Sequence, residues 1–74
     1  MKSKKILKII GGNIRKYRLR SDLTQEDLAK KLELTRVSVV NIESGRQAIP
    51  IYRIILLCAI LKITPNKLFK IKTK

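Results

Sequence analysis

Apolar residues recur at steps of three and four between Lys4 and Arg20, at Leu7, Ile10, Ile14 and Tyr17, while Arg15, Lys16 and Arg20 fall off that stripe. That spacing predicts a first helix with one stripe toward a core and a basic face toward water. Gly11-Gly12 weakens this helix and leaves room for a later start. Ser21-Asp22 then breaks the pattern. Thr24 is a good N-cap with Asp27 three residues on, as in a capping box, and Leu28, Ala29 and Leu32 give a second helix its inward face. Glu26 and Asp27 in its first turn and Lys30 and Lys31 in its last suit the helix dipole.

Thr35 is again a capping residue and predicts a third helix that buries Val39 and Ile42 while Arg36, Val37, Val40 and Asn41 point outward. The β-branched run Val37 to Val40 could be argued as a strand, but the caps on both sides and the lack of a partner strand speak against it. Gly45 supplies the left-handed residue on which such a helix ends. Pro50 opens a fourth helix reaching about Leu61, and Thr64-Pro65 starts a short fifth one through Phe69. The expected fold is therefore all-α, a compact bundle of about five short helices. It forms a single domain over residues 1–74, with a core at about 6–69 and basic ends, of which Ile71-Lys72-Thr73-Lys74 is expected to be loose.

Length and charge narrow the function. A chain of 74 residues buries only roughly 60% of the surface of its unfolded form. Eighteen Lys and Arg against five acids give a formal net charge of +13. All five acids, Asp22, Glu26, Asp27, Glu33 and Glu43, lie in the middle of the chain, so both ends are almost purely basic. Such a field favours polyanions but carries no sequence choice, and its plain alternative is a solubilising surface.

With no His, and a lone Cys58 inside an apolar run, the chain has nothing for acid–base, nucleophilic or metal chemistry, so no enzyme activity, cofactor, metal or small-molecule substrate is expected. The single cysteine suits a reducing cytoplasm. The start, Lys4 to Gly12, has the outline of a signal peptide, but Lys8 interrupts its apolar stretch and it is read as retained. The apolar run Ile54 to Leu61 is far shorter than the about 20 residues a bilayer needs, so no membrane partner is expected.

Leu23-Thr24-Gln25, Leu28-Ala29, Thr35-Arg36, Val39, Ile42-Glu43 and Gly45 form an ordered set that resembles the helix-turn-helix of the phage repressor and Cro-like family. That family comprises small bacterial and phage transcription regulators, including controllers of restriction-modification operons. Weaker similarity runs from Gly11 to Phe69. Ala29 fits independently, because helices crossing at roughly 90–120° come closest at a small residue. Two positions depart from the pattern. Glu33 stands where the family usually places Gly for a positive φ, so the turn is either mildly strained or locally different, and Lys62 replaces a Gly often found after the fourth helix.

The resemblance implies that helix three enters the major groove of double-stranded DNA with Thr35, Arg36, Val37 and Asn41 facing base edges. Arg36 suits guanine O6 and N7, Asn41 adenine N6 and N7, and Val37 a thymine methyl. Gln25, Ser44 and Arg46 are implied phosphate contacts, which position rather than specify. For each of these the alternative is an ordinary solvated side chain. Arg18 and Glu43 match a structural ion pair of the family.

Modules of this size bind more tightly as two-fold dimers on inverted repeats, so a homodimer is expected. Stepping along helix four sends Ile54, Leu57, Cys58 and Leu61 inward and leaves Ile55, Leu56 and Ala59, with Tyr52 beside them, on a second apolar face. This face is the expected dimer seam, with Phe69 or the tail at its edge. The alternative is that helix five and the tail cover it in a monomer. The favoured reading is a sequence-specific regulator, a repressor above all. The competing one is an antitoxin or adaptor whose main partner is another protein, with DNA binding for autoregulation.

Overall fold

A computed structural model describes residues 2–70. Five helices follow in order: α1 (Ser3–Arg20), α2 (Gln25–Leu32), α3 (Arg36–Glu43), α4 (Ile51–Leu61) and α5 (Pro65–Leu68), with no strand among the described residues. The fold is all-α, and the run Val37 to Val40 is helical. The expected loose tail, residues 71–74, lies outside the described residues.

Gly11-Gly12 does not delay α1, which runs unbroken from Ser3. The reason lies in packing. Gly11 is buried where α1 crosses the end of α3, and a Cβ there would lie 2.6 Å from the Glu43 carbonyl oxygen and closer still to that of Ile42. The missing side chain lets the two backbones meet, which offsets the low helix propensity of glycine. The inward stripe of α1 is accordingly Gly11, Ile14 and Arg18, with Ile10 and Tyr17 packed half-buried at its flanks.

The core gathers Ile14 from α1, Leu28, Ala29 and Leu32 from α2, Val39 and Ile42 from α3, Ile54, Leu57, Cys58 and Leu61 from α4, and Leu68 from α5. The inward positions expected for α2, α3 and α4 are those observed. Pro50 is the N-cap of α4 rather than its first residue, and Phe69 caps α5. Val40 is half-buried instead of outward. Burial raises the Cys58 thiol pKa, which keeps it a thiol and suits a small core residue.

Four of the helices end in the same way. The N–H groups of Leu23, Leu34, Arg46 and Ile63 reach back to the carbonyls of Arg18, Ala29, Asn41 and Cys58, each six residues closing on one. The residue before each of them, Asp22, Glu33, Gly45 or Lys62, has positive φ. This is the Schellman closure, in which an apolar residue after the left-handed one often packs back on the helix, as Leu23, Leu34 and Ile63 do here. Glu33 therefore takes the left-handed conformation, with φ 58° and ψ 41°, and Lys62 does the same with φ 56° and ψ 47°. No helix among the described residues is long and apolar enough to cross a membrane.

Candidate nucleic-acid interface

The α2–turn–α3 unit is defined by its caps. Thr24 accepts a hydrogen bond from the Asp27 N–H at 3.0 Å and its own N–H donates to the Asp27 carboxylate at 3.0 Å, completing the capping box. The Thr24 backbone N–H, aided by its side chain, holds the Asp27 pKa below the ordinary carboxylate value. Thr35 caps α3 by accepting from the Ser38 N–H at 3.1 Å, and its hydroxyl donates to Ser38 Oγ at 3.1 Å. The Thr35 hydroxyl is thus already engaged at the helix start.

Behind α3 lies a buried polar network. Arg18 Nε donates to Glu43 Oε2 at 2.6 Å and Nη2 to Oε1 at 3.0 Å, a two-pronged pair, while Nη1 donates to the Leu23 carbonyl at 2.7 Å. Gln25 Nε2 adds a bond to Glu43 Oε1 at 3.1 Å. Both charged residues are buried, Arg18 with 5% and Glu43 with 8% of their surface exposed. The network ties α1, the loop before α2, the first residue of α2 and the last residue of α3 together. Its worth is orientation more than net stability, since two buried charges lose hydration that their attraction only partly returns. Removing one partner strands the other charge.

On the outer side of α3, Arg36 and Val37 are exposed and Asn41, one turn beyond Val37, is half-buried. Val37 leaves 67% of its surface open. Gln25 begins α2, half-buried, with one amide proton spent on Glu43. Ser44 follows α3 and donates from Oγ to the Asn41 carbonyl at 3.1 Å, and Arg46 is exposed beyond it. Tyr52, Ile55, Leu56 and Ala59 are exposed together on α4. The residues expected at bases and phosphates therefore belong to α2, α3 and the positions flanking α3, and those expected at a dimer seam to α4.

Two contacts had no clear signal in the sequence. The Gln25 bond to Glu43 joins positions far apart in the chain, and nothing in the local pattern of either marks it. Arg53 of α4 donates to the Leu32 carbonyl, covering the C-terminal end of α2, although its position reads as plain surface charge. Among the described residues there is no group of three His, Cys, Asp or Glu side chains that could hold a metal.

Comparison with known proteins places this geometry in context. The helix-turn-helix family model matches residues 14–68. The restriction-modification controller protein C.AhdI from Aeromonas hydrophila superposes with a TM-score of 0.79 at 33% identity, covering 85% of this chain and 96% of that one. A tyrosine-to-phenylalanine mutant of the restriction-modification controller protein C.Esp1396I gives a TM-score of 0.74 at 31% identity, covering 86% of this chain and 81% of that one. A hypothetical transcription factor from Neisseria shares the fold, with a TM-score of 0.80 at 24% identity over 95% of this chain and 80% of that one. A search of curated protein sequences gave no match.

Proposed function

Because the chain belongs to the helix-turn-helix family of the phage repressor and Cro type, and is a DNA-binding transcription regulator rather than an enzyme, we propose that it represses transcription in the cytoplasm. It does so as a homodimer seated on an inverted-repeat operator. The observation that carries this reading is the outer face of α3. Arg36 and Val37 stand exposed there, while the opposite face is held by the core and by the Arg18–Glu43–Gln25 network. A helix presented this rigidly can place its first turn against base edges without ordering new structure on binding.

In this reading α3 lies in the major groove. Arg36 takes guanine O6 and N7 in a fork, Val37 packs on a thymine methyl, and Asn41 pairs with adenine N6 and N7. Thr35, its hydroxyl committed to the cap, contributes chiefly through its methyl group and backbone position. Gln25, Ser44 and Arg46 contact backbone phosphates and fix the register of α3. Two copies related by a two-fold axis read half-sites about one helical turn apart. Occupying a promoter-overlapping operator then excludes polymerase.

The likeness to two restriction-modification controller proteins at 33% and 31% identity favours a controller of a restriction-modification operon. Selection of bound sequences from a random duplex pool tests the proposal. Enrichment of an inverted repeat with half-sites about one turn apart is expected. Recovery of sequences with no shared motif would overturn it.

A further inference from the structure

α1 continues past its crossing with α3. From Gly11, buried against the last carbonyls of α3, it extends back to Ser3, about 12 Å of helix. No residue of this overhang is fully buried, and it carries Lys4, Lys5 and Lys8. Its inner side meets the turn after α3 so closely that a Cβ on Gly45 would lie 2.8 Å from Lys8 Cα and 2.9 Å from the Lys8 nitrogen. Between overhang and turn lies an open groove of about 780 Å³ lined by Lys4, Leu7, Lys8, Ser44, Gly45 and Arg46.

Three cations and no acid line this groove. The nearest acid in sequence, Glu43, is turned inward to Arg18 and Gln25. The backbone amides of the turn are committed as well: Ser44, Gly45 and Arg46 donate to the carbonyls of Val40, Ile42 and Asn41. An anion in the groove is therefore met by side-chain charge, not by a cradle of N–H groups. The groove opens where α3 ends and shares Ser44 and Arg46 with the phosphate contacts proposed above. Resting on the DNA-binding reading above, we propose that the α1 overhang is a second hold on duplex DNA. Lys4 and Lys8, with Arg46, clasp the sugar-phosphate backbone beyond the bases read by α3.

A phosphate contact reveals itself by the counterions it releases. Each one lost lowers the slope of log affinity against log salt by about 0.9 per bound protomer, equivalent to roughly fivefold weaker binding at about 0.15 M salt. The experiment measures that slope by fluorescence anisotropy on a labelled mixed-sequence duplex for the parent and for Lys4→Gln/Lys8→Gln. A matched control, Lys16→Gln/Lys67→Gln, removes the same charge from a groove on another face of α1, lined by Ile9, Asn13, Lys16, Tyr17, Lys67 and Lys70.

The expected result is a slope lowered by nearly two units per protomer in the first variant and by clearly less in the control, with unchanged helicity by circular dichroism in both. An unchanged slope in Lys4→Gln/Lys8→Gln would overturn the clasp and leave recognition by α3 standing. Equal shifts in the two variants would also overturn it, reducing the effect to net charge. Failure of the parent to bind any duplex would overturn the underlying reading and the clasp with it.

Discussion

Asp22, Glu33, Gly45 and Lys62 perform the same task at four helix ends, yet only one of them is glycine. Positive φ alone does not explain the difference, since it is common to all four. At Gly45 the φ of 81° coincides with the backbone of Lys8 standing where a Cβ would go, so both conformation and space require glycine there. The other three are exposed, and side chains are tolerated at the cost of left-handed strain. Glu33→Gly is therefore expected to stabilise the fold by a few tenths to about 1 kcal/mol, with Lys62→Gly behaving alike, because strain relief outweighs the added freedom of the unfolded chain. Urea midpoints at unchanged m-value check this, and a lower midpoint for Glu33→Gly would contradict it.

Asp27 gives a pH signature at the same scale. Its folded pKa is depressed by the Thr24 backbone and side chain. Its contribution is thus fully present above the unfolded value of about 3.9 and is lost as pH falls through the lower folded value. Replacement by Ala should flatten the acid limb of a stability-against-pH curve in that window and lower stability at neutral pH.

At the scale of elements, period and caps made the helices legible. Thr24, Thr35 and Thr64 stand at the starts of α2, α3 and α5, and the inward residues of α2 to α4 follow from 3.6-residue spacing. The outlier was the glycine pair in α1. In the sequence it can only lower helix propensity, since the carbonyls of α3 that Gly11 accommodates are contributed by residues some thirty positions away. Arg53 and Gln25 escaped for the same reason, because a polar side chain's partner across the fold leaves no local trace.

The two glycines should therefore respond oppositely to one substitution. Gly11→Ala is expected to destabilise by about 1–3 kcal/mol, as overpacking against fixed backbone does. Gly12, with open space around it, should become more stable by roughly 0.5–1 kcal/mol as Ala. Thermal melts of both variants decide the matter, and a shift of the same sign in each would refute the close crossing of α1 and α3.

For the whole molecule, the question is how a chain this small uses two surfaces. In the proposed seam Tyr52, Ile55 and Leu56 are 63%, 67% and 42% exposed and Ala59 is exposed as well, the apolar face on which the proposed homodimer would meet. Phe69 is 39% exposed, and the tail invoked at the edge of this seam lies outside the described residues. Leu56→Glu and Ile55→Glu are expected to give folded monomers that bind an inverted repeat far more weakly than the parent. Sedimentation of the parent as a monomer at high micromolar concentration, free and on its operator, would contradict the seam.

Base reading by α3 is tested most directly by repeating the random-duplex selection with Arg36→Ala beside the parent. Preference is expected to relax at one base position in each half-site, at a cost of roughly 1–3 kcal/mol on the parent's operator, while the remaining positions and the half-site spacing persist. A motif identical in every position to that of the parent would contradict the placement of Arg36 at the bases, and with it the presentation of α3 to DNA.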